Sequence, residues 1–142
     1  MGESGKIRVL VLGLIQQDDR ILVTQDHDPV KQQDFYRALG GGVEFGEPSL
    51  TALKREFQEE IGAELTNIQY LGCLENLFTY NGKPGHEIVQ VYRCDLVDRR
   101  FYQMEQITVQ ENSGQLIASW IAIDRFKSGE LFLVPEAFHE YL

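Results

Sequence analysis

Positive charge is what this chain has least of. Its 142 residues carry 13 Lys and Arg against 22 Asp and Glu, a formal net charge of −9 with a pI near 4.7. That balance excludes a broad nucleic-acid surface and an anionic-membrane surface, since both need clustered cations. Cysteine is equally scarce. Cys73 and Cys94 are the only two and have no C-x-x-C spacing, which excludes a disulfide framework and favours two reduced, buried thiols over a single bridge. No segment reaches the ~18 consecutive apolar residues of a membrane span. The start of the chain has no signal-peptide pattern. Met1-Gly2 opens like a myristoylation site, but Lys6 stands where Ser or Thr is required. A cytoplasmic protein with neither membrane nor nucleic acid as partner is the expectation. Repeats and low-complexity tracts are absent as well. With 43% apolar and 25% charged residues, residues 1–142 read as one globular domain, burying roughly 68–70% of the unfolded surface.

What the chain does have is concentrated between Leu39 and Ala63, LGGGVEFGEPSLTALKREFQEEIGA. The spacing predicts a helix opened by Pro48, at the first helical position where a missing N–H costs nothing, and stopped by Gly62. Glu47 faces the positive end of the helix dipole. Helical periodicity puts Leu50, Leu53, Phe57 and Ile61 on a face to be buried, and Glu56, Glu59 and Glu60 on a second face beside it. Like charges at i, i+3 and i+4 repel. Read alone, such a face is an ordinary solvated helix surface. The loop in front changes the reading. Gly40, Gly41, Gly42 and Gly46 allow tight turns and close backbone approach, leaving carbonyls free to face a ligand. Carboxylates that tolerate one another beside such a loop point to a cation, and oxygen-only donors select Mg²⁺ or Mn²⁺.

These residues resemble a known signature. The run Gly41-x5-Glu47-x7-Arg55-Glu56-Phe57-x-Glu59-Glu60-x-Gly62-Ala63 is similar to the box of the Nudix hydrolases, with every fixed Gly, Glu and Arg in place. Phe57 and Ala63 replace the usual branched aliphatics, and Leu39 stands where the family often has Pro. The resemblance implies roles. Glu56 and Glu60 would be the main metal ligands, Glu59 a further ligand or the general base, and the Gly40 carbonyl would complete the site. Arg55 and Glu47 would brace the loop against the helix, fixing the ligands' geometry. In this family a glutamate from a later loop sometimes supplies the base or an extra ligand, and Glu105 and Glu111 are the candidates here.

The rest of the chain supplies a sheet. Ile7 to Ile15 reads as a central strand apolar on both faces, residues 16–19 as a polar turn, and Arg20 to Gln25 as the hairpin partner. Residues 26–34 form a polar loop in which His27 is most simply a solvated histidine. Phe35 to Leu39 is a short strand. Arg37 on it is a candidate phosphate contact, because a guanidinium binds phosphate oxygens bidentately, or equally a surface ion pair. With Gly41 and Gly42 it makes up the candidate substrate contacts. Residues 64–80 are extended, Asn81-Gly82 turns, residues 83–85 lengthen the loop, and residues 86–96 form a strand, with His86 and Glu87 at its entry. Residues 98–114 are polar and irregular. Leu116 to Ile123 is a strand with Trp120 in the core. Asp124 caps a short helix ended by Gly129, and Pro135 opens a last short helix whose Phe138 and Tyr141 dock inward or onto a second copy of the chain in a homodimer.

The fold class expected is α/β: a Nudix-type α/β/α sandwich with a mixed sheet, one long box helix and short C-terminal helices. The function the resemblance implies is metal-dependent cleavage of a pyrophosphate bond in a small nucleotide, a nucleoside diphosphate linked to another group X. The substrates in view are ADP-ribose-like compounds, dinucleotides, nucleotide sugars and nucleoside triphosphates. The rivals are a Nudix module that senses a nucleotide without cleaving it, whose box carboxylates would be eroded, and a calcium-responsive acidic protein, which would need EF-hand spacing.

Overall fold

A computed structural model describes residues 5–142; the Met1-Gly2 reading lies outside them. The strands are β1 (Ile7–Leu14), β2 (Gln16–Gln17), β3 (Arg20–Asp28), β4 (Gln33–Gly42), β5 (Leu65–Tyr80), β6 (Lys83–Leu96), β7 (Gln106–Glu111) and β8 (Gly114–Ala122). Helix α1 spans Ser49–Ile61 and α2 spans Ile123–Lys127, with 3₁₀ turns at Arg99–Gln103 and Glu136–Tyr141. The strands run β5-β6-β1-β4-β3-β8-β7, with β2 on β3. Only β1 and β6 pair in parallel, so the sheet is mixed.

Strand β4 makes the architecture. Its first half, residues 33–38, pairs with β3, and its second half, residues 39–42, pairs with β1. The sheet therefore forks where β4 changes partner, between Ala38 and Leu39 and just before Gly40. At Gly40 φ is +153°, and a Cβ would run into the Val11 carbonyl. One core, with Val11, Leu39, Leu53, Phe57 and Trp120, lies under α1. The other, with Leu12, Val23, Ala38, Phe126 and Phe138, lies on the opposite side under α2 and the last 3₁₀ turn. This is the three-layer sandwich expected. No helix among the described residues is long and apolar enough to cross a membrane.

Several local expectations need correction. The glycines Gly40 to Gly42 are strand residues, not loop, because β1 pairs with them. The loop of residues 26–34 shrinks to residues 29–32. The Asp28 carboxylate closes it, accepting the Val30 and Lys31 N–H groups at 3.0 and 3.2 Å and the Asn81 N–H at 3.3 Å. Asn81 and Gly82, at φ 52° and 76°, complete a tight hairpin turn, so Lys83 to Gly85 belong to β6. Residues 98–114 are not irregular. Ile107 and Val109 alternate with polar neighbours and bury one face of β7. In α1, Pro48 sits one residue outside as the cap, and Leu50 is 40% exposed while Ala52 takes its place in the core. In β1, Ile7 and Val9 are exposed, so only its second half is covered on both faces. Asp124 lies inside α2, and Ala122 occupies the capping position. Cys94 is buried but Cys73 is exposed, and both are free. Phe138 docks inward, against its own chain.

Candidate active site

The acidic helix is built around Arg55. Its Nε donates to Glu47 Oε2 at 2.8 Å and its Nη2 to Glu47 Oε1 at 2.9 Å, a bidentate pair. Nη2 also donates to the Gly42 carbonyl at 2.9 Å, and Nη1 to Glu56 Oε1 at 2.9 Å and Glu59 Oε2 at 3.3 Å. The Glu44 N–H closes the loop onto Glu47 at 3.2 Å. Hydrogen bonding to Arg55 holds the Glu47 carboxyl below the ordinary glutamate range, and the same bond, outweighing partial burial, holds Arg55 above its own. One guanidinium thus ties loop, strand end and helix together.

Away from Arg55 the polar groups are less well served. Glu60 is 4% exposed, and its Oε1 is buried without a partner. Burial is the main cause that pushes its pKa up to about 9. Glu111, at the end of β7, adds its charge and a shared hydrogen bond; Glu56 adds charge, and Arg37 on β4 pulls the other way. Glu56 is raised too, first by burial, with Arg55 opposing. Its carboxylate fills the space a Cβ would need at Gly41, which is why glycine stands there. Arg37 has a buried Nη1 with no partner.

The structure thus brings Glu56, Glu60 and Glu111 near enough to raise one another, with Arg37 close enough to Glu60 to oppose that. Glu59 is turned outward, 60% exposed and paired with Arg55. Glu105 is not brought in; it is exposed before β7, roughly 20 Å of extended strand from Glu111. Gly42 gives its carbonyl to Arg55 and Gly41 makes room for Glu56, so both glycines serve the carboxylates. His27 is exposed and contacts Asp34 at 2.7 Å through Nδ1.

A cation fits the chemistry of this cluster. All its acidic donors are oxygens, and an orphaned, half-neutralised carboxylate such as Glu60 is the group a hard divalent ion would complete. Among the described residues no three acidic, histidine or cysteine side chains stand together as a metal-holding set.

Between β4, β5 and the segment from α2 onward opens a cleft of about 580 Å³, walled by Phe35, Phe78, Tyr80, Phe126 and Phe132 and reached by Lys31 and His139. Phe35 stands two residues before Arg37 on β4, one strand repeat away on the same face. Sequence reasoning missed this cleft. Its walls come from β4, β5, α2 and the segment after it, and no spacing in the chain announces that they meet.

Comparison with known proteins agrees. Residues 6–138 match the family description "NUDIX domain". A mitochondrial NAD(P)H pyrophosphatase of Mus musculus, NUDT13, is 28% identical over 108 residues; the match takes in 70% of this chain and 30% of the mouse protein, so the chain spans under a third of that relative. Among solved structures, a MutT NUDIX hydrolase from Burkholderia pseudomallei aligns with a TM-score of 0.61 at 26% identity, covering 84% of this chain and 85% of that one. A NUDIX hydrolase from Nitrosomonas europaea aligns with a TM-score of 0.62 at 21% identity, over 95% and 85%, a likeness of fold.

Proposed function

The chain belongs to the Nudix family of pyrophosphohydrolases, and on that premise we propose that it uses Mg²⁺ or Mn²⁺ to split the diphosphate of a nucleoside diphosphate linked to a second group X. The observation that supports this reading is the set of neighbouring carboxylates Glu56, Glu60 and Glu111, with unpartnered buried polar atoms on Glu60 and Arg37.

Glu56 and Glu60 would hold the metal, and the Gly40 carbonyl would complete the site. Bound there, a divalent ion would neutralise the diphosphate's charge and acidify the attacking water. The chain's own residues do the rest. Arg55 and Glu47 lock the helix to the strand end, so the carboxylates keep their spacing. Arg37 binds a phosphate oxygen through its unpartnered Nη1. Glu111, against Glu60 and half-buried, would take the water's proton; Glu59, held outward by Arg55, is the weaker candidate for the base. The aromatic cleft, which Phe35 lines two residues before Arg37 on β4, would receive the base or X and stack it. The two free thiols, one of them exposed, suit a reducing compartment such as the cytoplasm.

The test is a panel of ADP-ribose, dinucleotides, nucleotide sugars and nucleoside triphosphates, each with Mg²⁺ and with Mn²⁺, reading phosphate released after phosphatase coupling. Turnover of at least one anhydride, abolished by EDTA, is the expected result. Tight nucleotide binding with no turnover across the panel would overturn it in favour of a sensing module.

A further inference from the structure

Behind the aromatic cleft lies a carboxylate that the hydrolytic machinery does not use. Glu87 is 2% exposed. It stands on β6 directly across from Asn76 of β5. Its Oε1 accepts from Asn76 Nδ2 at 3.3 Å, while its Oε2 is buried with no partner. Asn76 is half-buried and lines the cleft. A buried polar group left unmatched is unusual and calls for a reason.

The contact sets the sense of the Asn76 amide: Nδ2 donates to Glu87 Oε1, and Oδ1, an acceptor, is the end left for the cleft that Asn76 lines. Without Glu87 the amide could flip and present either end. Asp28, Gln33, Thr79 and Glu136 line the cleft as well as the aromatic rings, and among these polar groups Asn76 is an amide held by a buried carboxylate.

We propose that Asn76, oriented by Glu87, is a specificity-determining residue whose Oδ1 accepts from the exocyclic amino group of the substrate's nucleobase, selecting adenine or cytosine over the oxo counterparts hypoxanthine and uracil. This rests on the reading of the cleft as the seat of the base. An oxo group in place of the amine sets two acceptors face to face, and a site built around a hydrogen bond rejects the analogue that cannot make it. Glu87 is a positioning residue, acting only through Asn76.

Equilibrium binding of AMP against IMP, and of CMP against UMP, tests this on the full chain without any need for turnover. In at least one pair the amino member binds about 10-fold tighter. Asn76→Leu brings that member down to the affinity of its oxo counterpart and leaves the oxo member unchanged. Glu87→Gln, which can itself donate or accept, lets the Asn76 amide turn; the ratio falls towards one while the melting temperature and the oxo affinity hold. Equal binding within both pairs, no binding by any of the four, or a preference that survives Asn76→Leu overturns the proposal. A chain that hydrolyses diphosphates but ignores the amino-to-oxo exchange sinks this inference alone. One that shows the preference without hydrolysis sinks the hydrolytic reading alone.

Discussion

On one helix, Arg55 and Glu60 meet opposite fates. Arg55 has hydrogen bonds to Glu47, Gly42, Glu56 and Glu59, all within 3.3 Å. Glu60, one turn further on and more deeply buried, keeps an oxygen with no partner and faces other carboxylates. Both are ionisable side chains taken out of water, yet only one has its polar atoms all answered within the chain. A fold that completes the first site so thoroughly has the means to complete the second. The difference teaches that the brace is paired within the chain, whereas the acidic cluster keeps a buried polar atom that the described residues do not pair. An unanswered buried carboxylate costs several kcal/mol if ionised, and here it is met by holding a proton instead.

The largest test breaks the unpaired side. Glu60→Gln keeps size and hydrogen-bonding capacity but removes the charge a cation would need. Turnover should fall by about 10²–10³-fold or more, with the circular-dichroism spectrum unchanged. Wild-type turnover by this variant in excess Mg²⁺ would show that the cluster is not where the chemistry happens. The next test breaks the paired side. Arg55→Lys supplies a point charge that cannot engage Glu47 with two parallel bonds while also reaching Gly42 and Glu56. Activity or metal affinity should drop by roughly 10- to 100-fold, the usual consequence of losing a group that orients ligands. If Arg55→Lys proves as damaging as Glu60→Gln, Arg55 is doing more than bracing. A third experiment completes the unpaired side. Mg²⁺ at about 100 times its dissociation constant should add about 2.7 kcal/mol, a rise of roughly 8–10 °C in melting temperature for a domain of this size. That rise should vanish in Glu60→Gln and persist, at higher Mg²⁺, in Arg55→Lys.

The same contrast explains what could be read from the chain beforehand. Gly62, at φ 65° with its N–H on the Gln58 carbonyl, ends α1 where the sequence said it would, because a left-handed cap is a local demand met by a local residue. The pairing of Glu47 with Arg55 is likewise short-range. Which of Glu56, Glu59 and Glu60 turns inward is not local. It depends on Arg55 drawing Glu59 outward and on β7 delivering Glu111 from fifty residues later. The choice between Glu105 and Glu111 was invisible for the same reason: until residues 106–111 are known to be a strand, nothing says which end of it meets the helix. The glycines misled in the opposite direction. Their permissiveness suggested a loop, whereas two of them stand in β4 because a Cβ would strike the Val11 carbonyl or the Glu56 carboxylate. The aromatic cleft, gathered from four separate segments, left no pattern at all.

The smallest effect discriminates most finely, because the two sites should tilt stability with pH in opposite senses. Arg55 holds the Glu47 carboxyl below its unfolded value of 4.5. Its contribution is present above that value and is lost as pH falls through the lower, folded one. Glu60 has a folded pKa of about 9 against an unfolded 4.5. Between those values the native chain keeps a proton that the unfolded chain gives up, so Glu60's contribution is full below 4.5 and is lost as pH rises through 9. In EDTA, urea midpoints should therefore decline from mildly acidic to alkaline pH. Glu60→Gln, with nothing to titrate, should flatten that decline while leaving the acid limb set by Glu47 untouched. Saturating Mg²⁺ should flatten it as well, because metal binding requires the carboxylate and expels its proton. A metal-free protein whose midpoint stays level from pH 5 to pH 9 would mean that Glu60 is ionised throughout, and that its charge is answered by some partner other than a cation.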